Sequence, residues 1–340
     1  MFKSLVLQEA LSIPSTIEKF ISIDNNPYLE IANLINNNKI KYIVTVARGT
    51  SDCAALYSSY IFAKYLGLPT YSMPPSIITL EKSTFNFSEA LVIIISQSGK
   101  SEDLVECEKK SKEMGATTML ITNNENSPII NEAHYFFNMY AGEEKSVAAT
   151  KTFVQTLLIL IKLVYLIQEK DEINDNIKIL ADFLLNDSQN QWNTNLVDPS
   201  INTGYILGRG VGFALSNEMS LKFKELCQEM IEPFSSAEVM HGPKSLIQDT
   251  FKLFTLSMND KSGLTVQNDS NEITKYTKLV YNISSTKDQS KNFYFPPNQI
   301  TEFDSIVIMS KFYPWIVRYT QNKGLDPDKP RYLTKVTQTF

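Results

Sequence analysis

Two segments 161 positions apart do the same thing. Val44-Thr45-Val46-Ala47-Arg48-Gly49 and Tyr205-Ile206-Leu207-Gly208-Arg209-Gly210 each end an apolar run in an Arg-Gly turn and then open a helical pattern, over Ser51 to Tyr65 and Ala214 to Met230. A chain that repeats strand, glycine turn and helix at a fixed offset reads as an internal duplication. From residue 40 onward the runs 42–47, 70–73, 90–96, 118–122 and 135–138 alternate with helical patterns. That rhythm predicts a parallel sheet with helices on both faces. A nearly continuous apolar helix from about Thr150 to Glu169 and a polar helix to about Asn195 follow, and the polar stretch 187–199 reads as the hinge between halves. The expected division is 1–190 and 191–340, two tandem α/β subdomains.

The duplication is unequal in the segment that matters most. Ser96-Gln97-Ser98-Gly99-Lys100-Ser101 follows the buried-strand run 90–95 and precedes a helix from about Glu102. Three hydroxyls and a glycine turn at the positive end of a helix dipole suit a phosphate, although a Ser-rich strand-to-helix loop is also an ordinary connection. Under the 161-residue offset Ser96, Lys100 and Ser101 fall on Ser257, Lys261 and Ser262, but Gln97-Ser98-Gly99 becomes Met258-Asn259-Asp260. A carboxylate at Asp260 repels phosphate. The phosphate is therefore expected in the first copy only, with catalysis supplied partly by the second.

Composition narrows the partners. With 340 residues, 43% hydrophobic and 20% charged, the chain is long enough for one large or two medium cores, and its net charge of −5 with no long basic run argues against nucleic acid. Cys53, Cys107 and Cys227 have no CxxC spacing, so no disulfide framework or metal site is expected, and a reducing cytoplasm is the expected compartment. No signal peptide is read at Met1-Phe2-Lys3, and the run Leu157 to Ile167 is broken by Lys162 and too short for a bilayer, so no membrane partner is expected.

Chemistry-bearing residues concentrate in three places. Lys222 and Glu225 are three apart on the second glycine-turn helix and share a face; Glu225 is a candidate base, although such pairs are more often solvated surface pairs. His241, one of 2 histidines, is pinned before Gly242-Pro243 and is the better acid/base candidate. His134 reads as structural. The charged connection Ala141 to Lys151 is either an exposed cap or a wall donating backbone groups to a sugar, with Thr150 as N-cap. The chain closes on Lys335 and an uncharged tail.

Together the segments Ala47-Arg48-Gly49-Thr50-Ser51, 96–101, 141–151, Leu221-Lys222-Phe223-Lys224-Glu225, 235–238, His241-Gly242-Pro243 and 333–340 resemble the SIS (sugar isomerase) superfamily. Within it they resemble the isomerase half of glucosamine-6-phosphate synthase and the type II glucosamine-6-phosphate deaminases. The resemblance implies two tandem SIS subdomains of flavodoxin-like, three-layer αβα form. It implies that Ser51, Ser96, Gln97, Ser98 and Ser101 hold the phosphate of a hexose 6-phosphate, and that Val147 and Ala149 also contact the substrate. Glu225 would move a proton between C1 and C2, with Lys222 stabilising developing charge. His241 would assist ring opening from a neighbouring subunit of a homodimer, and Lys335 would touch the open-chain sugar. No metal or organic cofactor is implied.

Departures from the synthase pattern point to the deaminase branch. No amino-terminal cysteine nucleophile or glutaminase region precedes the first strand, so glutamine hydrolysis is not expected. Arg48 replaces a cysteine and Ala149 a serine. The expected reaction is glucosamine 6-phosphate to fructose 6-phosphate and ammonia. The alternatives are another phosphosugar isomerase, a galactosamine-6-phosphate deaminase, a fructosamine-phosphate deglycase and a non-catalytic sugar-phosphate sensor.

Overall fold

The computed structural model describes residues 4–286 and 292–335. In the first half the chain forms helices α1 (Leu5–Leu11), α2 (Ile13–Lys19), α3 (Asn26–Asn36), α4 (Thr50–Leu66), α5 (Pro75–Thr79), α6 (Glu102–Glu113), α7 (Lys151–Ile167) and α8 (Ile173–Asp187). Its strands are β1 (Tyr42–Val46), β2 (Thr70–Ser72), β3 (Ala90–Ile95), β4 (Thr117–Thr122) and β5 (Tyr135–Asn138). The second half adds β6 (Thr203–Gly208), β7 (Met230–Ser235), β8 (Lys252–Ser257), β9 (Val280–Ser284) and β10 (Asn292–Tyr294), with helices α9 (Val211–Cys227), α10 (Ser236–Val239), α11 (Lys261–Ile273) and α12 (Phe303–Asn322).

Two five-stranded sheets result, ordered β2-β1-β3-β4-β5 and β10-β9-β8-β6-β7, and every strand pair is parallel. Read from the other edge, the second order is that of the first advanced by five strands. The repeat extends to the backbone. Gly49 before α4 has φ 59° and ψ −131°, and Gly210 before α9 has φ 58° and ψ −136°. A left-handed φ at both turns is a conformation that only glycine adopts without strain, which accounts for the shared Arg-Gly pair.

By contact the described residues divide into two compact units: 13–144, 151–182 and 334–335 form one, and 4–12, 145–150, 183–286 and 292–333 form the other. In the N-terminal unit β3 is buried at all six positions. One face of its sheet packs Val44, Val92, Ile94 and Leu120 against Leu104 and Cys107 of α6. α4 packs against β1, β2 and β3, α7 packs against α3 and α4, and every residue of α7 except Tyr165 is buried. A helix apolar nearly all round belongs inside a core, where each large side chain contributes about 1.5–3 kcal/mol.

In the C-terminal unit α12 is the central core helix. Its Trp315 lies 5.9 Å from Phe223 and 5.2 Å from Phe293, ring centroid to centroid, and stacks on Tyr319 at 5.1 Å. The stretch 187–199, read from sequence as a hinge, is docked on this helix. Lys311 donates to the Asn190 carbonyl, Trp315 Nε1 to the Asn193 carbonyl and Arg318 to the Gln191 side chain. Its polarity reflects backbone carbonyls satisfied by α12 rather than freedom. No described helix is long and apolar enough to cross a membrane.

Candidate functional site

The loop after β3 is shaped by its own hydroxyls. Ser96 Oγ accepts the Gly99 N–H at 3.1 Å, and Ser98 Oγ accepts the Lys100 N–H at 3.3 Å. Gly99 turns with φ 59°, and a Cβ there would stand 2.3 Å from Ser127 Oγ, whose hydroxyl donates to the Gly99 carbonyl at 2.6 Å. The loop therefore needs glycine on both counts. Ser101 is the N-cap of α6 but its hydroxyl makes no capping bond; within the first turn the Leu104 N–H is taken by the Asp103 carboxylate at 2.9 Å, so no hydroxyl competes with an external anion at this helix end. Ser96 is buried, whereas Gln97 and Ser98 are half-buried.

Gln97, Ser98 and Lys100 line a cavity of about 760 Å³, together with Asn123, Glu144 and Lys335. The structure thus brings Lys335 to the cradle loop, although the two are more than 200 residues apart in sequence. Ser51, Ser96 and Ser101 are not among its lining residues. Lys335 Nζ lies 3.6 Å from the Glu144 carboxylate. That carboxylate also accepts the Thr152 N–H at 3.2 Å and the Thr152 hydroxyl at 2.7 Å. Glu144 therefore takes up the Thr152 N–H in the first turn of α7. Reading the sequence did not single out Asn123, Asn124 or Glu144. The signal for the asparagines was their place directly after β4, at the carboxyl end of the sheet where ligands collect.

The connection 145–150, which carries Val147 and Ala149, counts with the C-terminal unit. Glu9 of α1 holds it: one carboxylate oxygen accepts the Lys145 N–H at 2.6 Å, the other accepts the Ser146 N–H at 3.2 Å, and the Ser146 hydroxyl makes a very short bond to the same carboxylate. The segment is a fixed strap, not an exposed cap; Ser146 and Ala148 are buried, Val147 and Ala149 half-buried. The tail beyond Lys335 lies outside the described residues.

In the C-terminal unit Lys222 is fully buried, with Nζ 2.7 Å from Glu225 Oε2 and 3.3 Å from Glu218 Oε1. Glu218 is buried as well, and accepts the Tyr313 hydroxyl at 2.9 Å, while Glu225 keeps 21% side-chain exposure. This is not a solvated surface pair: one ammonium sits between two carboxylates, of which only Glu225 reaches outward. His241 follows α10, is exposed and makes no side-chain hydrogen bond among the described residues. His134 is structural: its Nδ1 accepts the Thr118 N–H at 3.1 Å, which places the ring proton on Nε2, and burial lowers its pKa. Among the described residues no His, Cys, Asp and Glu group is placed to hold a metal.

At α11 the second copy answers the question raised by Asp260. Its side chain accepts the Gly263 N–H at 2.9 Å and caps the helix. An internal carboxylate caps this helix, whereas the N-cap side chain of its first-copy counterpart, Ser101, makes no capping bond.

The chain is a parallel two-sheet α/β fold with a serine-lined helix N-terminus, and residues 38–165 match the SIS domain. The isomerizing glutamine–fructose-6-phosphate aminotransferase of Sulfolobus acidocaldarius is 30% identical over 335 residues, covering 95% of this chain and 54% of that protein. The chain spans about half the length of the curated relatives it matches. A candidate phosphosugar isomerase from Silicibacter pomeroyi superposes with a TM-score of 0.86 at 28% identity, covering 96% of this chain and 100% of that one. The C-terminal domain of the Francisella tularensis glucosamine-fructose-6-phosphate aminotransferase shares the fold, with a TM-score of 0.81, 24% identity, and coverage of 97% and 99%.

Proposed function

We propose that this chain is a phosphosugar isomerase that acts as a deaminase, converting glucosamine 6-phosphate and water to fructose 6-phosphate and ammonia. The observation that carries this reading is the buried Lys222 held between Glu218 and the outward-reaching Glu225. Burying Lys222 and Glu218 fully and Glu225 in part on one helix is costly unless they are mutually compensated, and a module that only binds sugar phosphate has no need of them. Glu225 takes the C2 proton of the open-chain amino sugar, giving an enolamine. It returns the proton at C1, giving the C2 imine, and water then releases ammonia and leaves the ketose. Lys222 holds Glu225 in place and offsets negative charge as it develops.

The 96–101 loop takes the 6-phosphate, Lys335 meets the open-chain sugar, and Val147 and Ala149 offer backbone groups to it. His241 opens the pyranose from the other subunit of a homodimer. Its exposure, with no side-chain hydrogen bond among the described residues, supports that placement. The route requires no metal or organic cofactor.

The test is ammonia release from glucosamine 6-phosphate, with galactosamine 6-phosphate and N-acetylglucosamine 6-phosphate alongside. Ammonia and fructose 6-phosphate from the first alone support the deaminase. Glu225→Gln is expected to lower turnover by about three orders of magnitude or more while sugar-phosphate binding persists. Silence with all three substrates from a folded protein refutes the reading and turns to the isomerase, deglycase and sensor alternatives.

A further inference from the structure

In the N-terminal sheet β1 and β3 are neighbours whose chains leave in opposite directions, toward β2 and toward β4. The crevice outside their carboxyl ends is the topological switch point, where open α/β sheets bind ligands. Arg48 comes from the loop after β1 and Asp103 from the first turn of α6, after β3. Arg48 Nε donates to Asp103 Oδ2 at 2.5 Å, with Asp103 4% and Arg48 44% exposed at the side chain.

The way this pair is made sets it apart from a simple tie. An arginine that only clamps a carboxylate presents its planar fork, two parallel N–H groups to two oxygens. Here one N–H is used, the other carboxylate oxygen accepts the Leu104 N–H at 2.9 Å, and the two Nη groups have no partner among the described residues. Asp103 fixes the guanidinium by its inner edge and leaves the outer edge free for a bidentate anion.

Charge balance at α6 asks for such a group. The first turn of α6 contains Glu102 and Asp103, two carboxylates at a helix end otherwise suited to a phosphate dianion. Arg48 cancels one of them where the anion would sit. The duplicated half gives the contrast. Arg209, the counterpart of Arg48, approaches Asp269 only to 3.9 Å, and there the N-terminus of α11 is already filled by Asp260. The arginine is clamped in the copy whose N-cap side chain makes no capping bond and loose in the copy whose N-cap carboxylate does.

We propose that Arg48 is a ligand of the substrate phosphate and a determinant of selectivity for phosphorylated over free sugars, with Asp103 as its positioning residue. This rests on the sugar-phosphate reading above, but binding alone can test it without turnover. Calorimetric titration with fructose 6-phosphate is made on the full chain and on Arg48→Gln, Arg48→Lys and Arg209→Gln, each checked for cooperative melting. Arg48→Gln is expected to weaken binding by about 30-fold or more. Arg48→Lys, which keeps the charge but not the fork, should lose about threefold to tenfold, and Arg209→Gln should bind as the parent does. Inorganic phosphate as competitor should lose potency in parallel with Arg48→Gln.

Unchanged affinity in a folded Arg48→Gln overturns the assignment. Should that variant not fold, unchanged affinity in Arg48→Lys overturns it equally. Fructose 6-phosphate binding without ammonia release from glucosamine 6-phosphate removes the deaminase and leaves the Arg48 result standing. A parent protein that binds no sugar phosphate removes both.

Discussion

Lys162 lies in the middle of α7 with no exposed surface, its ammonium 5.2 Å from the Phe20 ring centroid and 5.1 Å from that of Tyr28, and without a hydrogen-bond partner among the described residues. Burial pulls its pKa from an ordinary 10.5 down to about 8, opposed by the attraction of the Asp24 carboxylate. A fall of about 2.5 units at about 1.36 kcal/mol each is a penalty of about 3 kcal/mol on the charged form in the folded state. Below about pH 8 the lysine is protonated folded and unfolded, and the whole penalty is present. Between about pH 8 and 10.5 the unfolded chain holds the proton more than the folded one does, so stability rises with pH.

Lys162→Met keeps an unbranched side chain between the two rings and removes the charge. It also forfeits the attraction of the ammonium to the rings, about 1 kcal/mol. The net expectation is a gain of about 2 kcal/mol at neutral pH, shrinking as the pH approaches about 10 and the parent lysine loses its proton. Urea unfolding of both proteins at about pH 7 and about pH 9.5 reads the difference. Tyr28, whose pKa burial raises, is common to both proteins and drops out of the comparison. A variant less stable than its parent at neutral pH, or a gain equal at both pH values, refutes the argument that a charged ammonium is being buried.

Asp304 is the acidic counterpart. Burial raises it from 3.8 to about 7 against the pull of the Asn298 N–H, so between about pH 4 and 7 the folded chain holds the proton more tightly and stability falls as pH rises. Asp304→Asn should flatten that limb and leave the protein more stable than its parent at about pH 8, by about 2–4 kcal/mol, in urea titrations across the window. For the strap, Glu9→Ala strands the Lys145 and Ser146 N–H groups, each worth about 1–3 kcal/mol if left unsatisfied. Hydrogen exchange at those two amides should quicken by at least tenfold, with Glu9→Gln much closer to the parent; equal exchange in all three removes Glu9 as the brace.

What the sequence discloses follows the range of the interactions involved. The sheets were legible because a buried parallel strand needs an unbroken apolar run and its turn needs glycine, both local demands; the 161-residue offset places α4 at 50–66 and α9 at 211–227 in register. The helix cap by Asp260 was half legible: the residue and its sign were evident, but its bond to Gly263 makes it a replacement for the phosphate rather than only a repellent. Lys162 looked like an interruption of an apolar run, and nothing nearby in sequence shows that two distant rings receive it. The strap is the extreme case. Residues 145–150 answer to Glu9, more than 130 positions upstream, while Glu144, their immediate neighbour, takes up the Thr152 N–H of α7 and faces Lys335. A buried carboxylate that accepts backbone N–H groups leaves no periodicity and needs no partner of opposite charge, so pattern and charge counting both pass over it. Such carboxylates fix the shape of a connection, and Glu144 also lines the cavity that Lys335 enters. Lys222 and Glu225 could be read from one short motif, whereas Glu218, Glu9 and Glu144, whose partners include distant or uncharged groups, had to wait for the fold.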